Sequence, residues 1–263
     1  MLLEIIKRPL RKIRQIIQVL MANPCSSGVV QIFVNDKIRS TNYSITNFPS
    51  LLLPNRIGRV WYEIALFDEK GSLCLSKSIE IPKFGSAKIN PADYFTGTKI
   101  PERGLFQANL MASKFSLLNK YYLRLLGKMT SHFYTFFYSP NHESLAMIHP
   151  QTTAPVKDTD EKSNYWYSQY LIYTPPIDHI EIYQLNPCKA SYELNLKLVN
   201  LKGEIVAEST ELVPGYGTRK IIWEKSKFLS EEYLYLASDT LRGNEKPILF
   251  SFYPDGSFTA LHT

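Results

Sequence analysis

Two turn motifs occur twice in this chain of 263 residues, in the same order and at the same spacing. A Lys-Gly pair at 70–71 recurs at 202–203, and a Pro-x-aromatic-Gly motif at 82–85 recurs at 214–217, in both cases 132 residues later. An ordered set of matches at one offset is typical of an internal duplication. The alternative is two unrelated β-rich stretches that share turn chemistry.

Weaker matches flank the turns. Upstream, Tyr62-Glu63-Ile64 resembles Tyr192-Glu193-Leu194 at an offset of 130. Downstream, an aromatic run leading to His149 resembles one leading to His262 at an offset of 113. Because the offset falls from 132 to 113, the first half must hold 19 extra residues in this interval. Residues 114–129 lie there, and we interpret them as a helical insertion into a repeated scaffold.

The repeated pieces have the pattern of β-hairpins. The runs at 63–67 and 193–199 lead into the Lys-Gly turns, and 73–81 and 205–213 follow as return strands. Short apolar runs around a Gly-bearing turn indicate hairpins, and aromatic residues, 13% of this chain, favour strands. The sequence therefore predicts a mainly β fold of two duplicated β-sandwich domains.

The predicted organisation has four parts. Residues 1–23 form a basic amphipathic helix, and 24–149 form the first β-sandwich domain, with the helical insertion at 114–129. Residues 150–164 have little bulk and several charges, so we expect a linker. The second β-sandwich domain covers 165–263.

Positive charge is concentrated in two short segments. Of a net charge of +6, residues 1–23 carry +4 and residues 114–129 carry another +4, so the rest of the chain is slightly acidic. Apolar residues recur in both segments at spacings of three and four, which indicates amphipathic helices. The candidate membrane-binding residues are Lys7, Arg8, Arg11, Lys12, Arg14, Lys120, Arg124 and Lys128.

Three interpretations of these segments remain open. Basic helices with an apolar face can lie on an anionic membrane surface. They can equally pack on the β-domains with their charges in water, or bind an acidic protein partner. The chain has no run of about 18 apolar residues and no recognisable secretory signal, and its three cysteines lack disulfide or zinc spacing. We therefore expect a cytoplasmic protein, peripheral at the inner face of the membrane.

His149 and His262 are the candidate catalytic residues. They occupy the same place in the two halves, so pseudo-twofold packing would bring their imidazoles face to face. Such a pair could perform general acid–base work, because imidazole titrates near neutral pH. The alternative is a pair of structural histidines inherited from one ancestor. No metal-ligand, phosphate-loop or nucleophile motif is present, so we expect no cofactor and no metal.

Tyr165, Trp166 and Tyr167 are the candidate ligand-binding residues, because aromatic platforms stack on sugars or bases. Packing on a strand face explains the same cluster. Nucleic acid is not an expected partner, since no recognition motif accompanies the charge.

The functional expectation is a binding or scaffolding protein at a membrane surface. The alternative is an enzyme that uses the paired histidines, between the halves, on a soluble or lipid-linked substrate. A deep polar cleft between the halves would favour the enzyme, whereas a filled seam would favour the scaffold. The oligomeric state does not follow from the sequence.

Overall fold

The computed structural model describes residues 29–94, 101–125, 133–140, 144–149, 151–152, 166–168, 170–240 and 246–262. Within these ranges the chain is mainly β, as predicted, and its strands form four antiparallel sheets in a β-sandwich-like arrangement. The predicted N-terminal helix at 1–23 and residues 153–164 of the predicted linker lie outside the described residues.

Unit one contains strands β1 (Val29–Val34), β2 (Ser40–Thr46), β3 (Val60–Asp68), β4 (Leu73–Ile81), β5 (Ser86–Ile89), β6 (Arg103–Leu110), β7 (Phe133–Tyr138), β8 (Leu145–Ile148) and β9 (Gln151–Thr152). Its helices are α1 (Phe48–Leu52) and α2 (Leu117–Leu125), with 3-10 turns at Pro91–Tyr94 and Ala112–Lys114.

Unit two contains β10 (Trp166–Tyr167), β11 (Ile172–Tyr173), β12 (His179–Leu185), β13 (Tyr192–Asn200), β14 (Ile205–Val213), β15 (Thr218–Glu224), β16 (Tyr233–Ser238), β17 (Ile248–Phe252) and β18 (Phe258–His262). A 3-10 turn, Lys225–Lys227, follows β15.

The strand order is the same in both units. Sheet A (β4-β3-β6-β1-β9) corresponds to sheet C (β14-β13-β16-β10, with β11 also on β16). Sheet B (β5-β2-β7-β8) corresponds to sheet D (β15-β12-β17-β18). Strand β9 has no counterpart in sheet C, and its pairing with β1 extends unit one to Thr152, into the predicted linker.

The hairpin registers define which residues correspond. Val60 pairs with Ile81 on β4, and Tyr192 pairs with Val213 on β14. Both pairs are related by the offset of 132, so Tyr62 corresponds to Leu194, and its sequence match to Tyr192 was two residues out. A slip of two keeps each side chain on the same face, which is why alternation did not reveal it. Residues matched by strand order and register are called equivalent positions below.

The predicted turns are also equivalent in conformation. Gly71 and Gly203 have φ of 89° and 84°, a region that favours glycine. Before each of them, the side-chain oxygen of Asp68 or Asn200 accepts hydrogen bonds from the backbone N–H groups two and four residues on. The same local chemistry therefore closes both hairpins.

The connection between β6 and β7 is where the units differ most. It runs from 111 to 132 and contains α2, whereas β16 and β17 are joined by 239–247. An inserted helix was predicted at 114–129; within the described residues it covers Leu117–Leu125, preceded by a 3-10 turn.

Three clusters of buried side chains hold the described residues together. Core one lies between sheets A and B, and core two between sheets C and D. The third cluster, which we call the seam, joins the units. It is formed by Val30, Ile32, Val34, Leu105, Phe137, Ala146 and Ile148 of unit one and by Tyr183, Leu185, Ile248, Phe250, Phe252 and Phe258 of unit two.

Candidate functional site

Among the described residues, the seam is a packed interior of buried side chains. The outer face of sheet D, with Tyr183 and Phe250, meets the outer face of sheet A, with Val30 and Ile32. All four of these residues are buried, and strands β1, β12 and β17 are consequently buried on both faces. Among the described residues, this is the filled seam expected for the binding or scaffolding interpretation.

One charged side chain crosses the seam. Arg39 of unit one is buried, and its Nη2 lies 2.6 Å from Glu181 of unit two and 2.6 Å from Asp36. The same nitrogen donates to the Tyr183 hydroxyl at 3.0 Å. The guanidinium carbon lies 4.8 Å from the ring centre of Phe250, a cation–π contact.

Burial and ion pairing oppose each other in this cluster. Burial alone would lower the pKa of Arg39, but Tyr183, Glu181 and Asp36 raise it above its ordinary value. Burial would likewise raise the pKa of Asp36, but the charge and hydrogen bonds of Arg39 bring it below 3.8. Lys220 also contacts Glu181, so this buried carboxylate has two cationic partners. Burying a charged group is costly unless it is paired and hydrogen-bonded, as it is here.

The structure brings His149 and His262 together. His149 follows β8 and His262 ends β18, and these edge strands lie side by side across the seam. The Nε2 atoms are 2.5 Å apart, and the ring centres are 4.1 Å apart. The rings therefore meet at the rim of the seam, but not through the predicted pseudo-twofold packing, because sheet A of unit one contacts sheet D of unit two and these are different faces of the two units.

The surroundings of the histidine pair limit its chemistry. His149 is exposed and His262 is half-buried. Burial, His149 and Lys246 together hold the pKa of His262 below 6.5. At Nε2–Nε2 hydrogen-bond distance one ring donates and the other accepts, so the pair can share one proton. Two imidazoles supply at most two metal ligands, and no group of three possible ligands occurs among the described residues.

The aromatic residues predicted to bind a ligand do not form one platform. Trp166 packs against core two, whereas the neighbouring Tyr167 is exposed and lies beside Tyr235 on the outer face of sheet C. Consecutive residues of a strand point to opposite faces, which separates them. Tyr165 lies outside the described residues.

The sequence spacing predicts an apolar face of Phe115, Leu118, Tyr122, Leu125 and Met129 on the insertion, and the structure confirms it only in part. Phe115 and Leu123 are buried in core one, and Tyr122 lies under the guanidinium of Arg56. Leu117 and Leu118, at the start of the helix, are 69% and 54% exposed.

The predicted basic residues are only partly described. Lys120 is half-exposed and Lys114 is exposed, whereas Lys128 and the side chain of Arg124 lie outside the described residues. Lys7, Arg8, Arg11, Lys12 and Arg14 lie outside them as well. No described helix is long and apolar enough to span a bilayer.

Sequence reasoning missed a groove of about 540 Å³ on the outer face of sheet B. It is lined by Asn42, Tyr43, Ser44, Lys88, Phe136, Tyr138 and Leu145. Asn42 is only 9% exposed, and its Oδ1 has no hydrogen-bond partner among the described residues. The available signal was β7 itself: its sequence, FYTFFY, places aromatic residues on both faces, so the outer face is apolar too.

Comparison with known proteins does not identify this chain. No family model matches it, and no curated protein matches it. Among solved structures, a β-glucuronidase from glycoside hydrolase family 2 aligns with 90% of this chain at 11% identity and a TM-score of 0.20. This chain spans only 24% of that enzyme. The PBSX exported protein XepA aligns with 88% of this chain and 85% of its own length, at 4% identity and a TM-score of 0.21. Scores this low support no functional argument.

Proposed function

We propose that this protein is a binding or scaffolding protein that attaches to an anionic membrane surface. The filled seam supports a scaffold over an enzyme, because the described residues between the units are packed side chains and the paired histidines lie at the rim. We also propose that the two units are duplicated sandwich domains. Their common strand order, turn conformations and hairpin registers support this origin.

The observation that carries the membrane proposal is the exposed start of α2. Leu117 and Leu118 project into solvent beside Lys114 and Lys120, and residues 114–129 contain no acidic side chain. Exposed leucines next to unbalanced cations suit a surface where apolar groups enter the acyl region and cations meet headgroups. Unit two has no equivalent helix among its described residues.

The basic segment at 1–23 would supply a second contact. Each cation near an anionic surface contributes about 1 kcal/mol, so two segments of net +4 could together hold the protein without a spanning helix. Binding should require anionic lipid and weaken as salt rises, because surface charges are screened.

Co-sedimentation with vesicles containing phosphatidylserine tests the proposal. We expect the full chain to pellet at low salt, and Leu117→Ser with Leu118→Ser to lower its partition coefficient by about tenfold, because both leucines lose apolar burial. Lys114→Glu with Lys120→Glu should reduce binding further and flatten its salt dependence.

The matched controls change similarly exposed groups elsewhere. Leu229→Ser, in the turn after β15, and Lys37→Glu with Lys70→Glu should leave binding nearly unchanged. Equal loss in the controls, or no pelleting of the full chain at low salt, would reject the membrane proposal.

A further inference from the structure

The groove on sheet B occupies the position that, in unit two, is covered by unit one. On sheet D, Glu181 pairs with Phe250 across the strands, and on sheet B, Asn42 pairs with Phe136 in the same register. Lys220 beside Tyr183 corresponds to Lys88 beside Ser44. The sheet D face is buried in the seam, whereas the sheet B face contains the open groove.

The residues that cover sheet D also have exposed equivalents. Val30 and Val34 of β1 cover it in the seam. Their registers against β6 make them equivalent to Tyr167 and Tyr173, which pair with β16 and are about half-exposed on the outer face of sheet C. The seam residue Leu105 is equivalent to the half-buried Tyr235.

The turns repeat this relation. Next to the seam, the β3–β4 turn of unit one contacts the β14–β15 turn of unit two. A Cβ on Gly71 would lie 1.8 Å from the Gly215 oxygen, and Phe67 stacks on Tyr216 with ring centres 5.3 Å apart. At the equivalent Gly203, a Cβ would meet no described atom within 4 Å. Phe84, the equivalent of Tyr216, is exposed.

We infer that copies of this chain associate head to tail, the outer face of sheet B in one copy packing against the outer face of sheet C in the next. Each junction repeats the seam, with the Leu201–Gly203 turn of one copy seated on the Pro82–Gly85 turn of its neighbour. The occupant of the groove is thus a second copy. This inference is independent of membrane binding.

Charge and composition fit this contact. In the seam, Arg39 of unit one meets Glu181; the position equivalent to Arg39 is Asp178, which at the junction would approach Asn42 and Lys88. At the junction the cation Arg39 is replaced by the acid Asp178, and the acid Glu181 is replaced by the neutral Asn42. Asp178 would therefore meet the cation Lys88 without a competing acid, which is an attractive pair. Exposed tyrosines are typical of protein interfaces.

The two contacting faces are different surfaces, so the contact does not close on itself as a twofold dimer. Heterologous contacts add copies until a ring closes, or without limit. The full chain should therefore show a mass that rises with concentration past twice the 30.3 kDa of one chain.

Sedimentation velocity of the full chain over a concentration series tests the inference. The sheet B variant Leu145→Glu with Met147→Glu changes residues that are 66% and 61% exposed, and the sheet C variant is Tyr173→Glu with Leu201→Glu. Each variant should raise the protein concentration at which half of the chains are associated at least about a hundredfold, because an unpaired charge would be buried in the contact. Leu229→Glu, an exposed leucine in the turn after β15, is the control and should associate like the unmodified chain.

Mixing the two variants gives the decisive result. Each retains one intact face, so an equimolar mixture should form a dimer and nothing larger. A monomer at all concentrations, an unmodified chain that stops at a dimer, or variants that assemble like the control would overturn the inference. If one variant does not fold, as judged by circular dichroism, the concentration series of the other still decides between these outcomes.

Discussion

The outer faces of sheets D and B occupy the same place in their units but have different surroundings. On sheet D, Glu181 is buried with Arg39 and Lys220 as partners, and the face is covered by unit one. On sheet B the equivalent residue is the neutral Asn42, beside an open groove. The difference teaches that, on these two equivalent faces, the acid lies where a cation from the other unit reaches it.

The largest effect should come from breaking the ion pair that crosses the covered face. Arg39→Ala removes one of the two cations that contact the buried Glu181 and the cation that pairs with Asp36, and we expect a loss of about 3–5 kcal/mol in the free energy of unfolding. Urea titration followed by circular dichroism measures it. Arg59→Ala is the matched control, because Arg59 pairs with Glu80 at 2.9 Å on the surface, where such pairs contribute about 0–1 kcal/mol. Equal losses in the two variants would contradict the role assigned to Arg39.

The equivalent turn glycines should respond unequally. Gly71→Ala and Gly203→Ala both place a side chain at positive φ, which destabilises by about 1–2 kcal/mol. Only at Gly71 does the new Cβ collide with the backbone of Gly215, so we expect its loss to exceed that of Gly203 by about 2 kcal/mol. The same urea titration compares them. A similar loss at both sites would show that the β3–β4 turn is not held against unit two.

The smallest effect concerns the histidine pair at the rim of the seam. The pKa of His262 is lower in the folded chain than its ordinary 6.5, so the unfolded chain binds more protons in this range. The free energy of unfolding that this difference contributes is fully present above pH 6.5 and is lost as the pH falls through the lower pKa of His262 in the folded chain. We expect His262→Gln to remove this loss of stability at low pH. His149→Gln should make the loss smaller, because His149 is one cause of the lowered pKa of His262. Melting temperatures between pH 7.5 and 5 measure both; identical slopes in all three proteins would contradict the linkage.

Local patterns predicted much of the fold. The mainly β composition, the Lys-Gly turns and the helical character of the insertion follow from turn chemistry and periodicity, which act over a few residues. The sequence also placed His149 and His262 at equivalent positions, but the twofold packing from which their contact was predicted is wrong, because the two units meet through different faces.

The seam could not be predicted in the same way. Arg39 and Glu181 are far apart in sequence, and neither belongs to a motif.

A repeated contact inside each unit was also missed. Asn47 and Asn186 occupy equivalent buried positions. The backbone N–H of each donates to the carbonyl oxygen of the last residue of a Pro-x-aromatic-Gly turn, Gly85 or Gly217, at 2.9 Å. Their offset is 139, not 132, so a search at one spacing misses them. An insertion can leave the packing intact and still change the sequence offset between equivalent residues. Contacts between two sheets join residues that are distant in sequence, so they leave no local sequence pattern.

We expect the filled seam to make the two units one cooperative structure. Differential scanning calorimetry of the full chain tests it most directly. Because unfolding either unit would expose the seam, we predict a single transition whose calorimetric and van't Hoff enthalpies agree. Two separate transitions, or a calorimetric enthalpy close to twice the van't Hoff value, would show that the units unfold independently and would contradict the account.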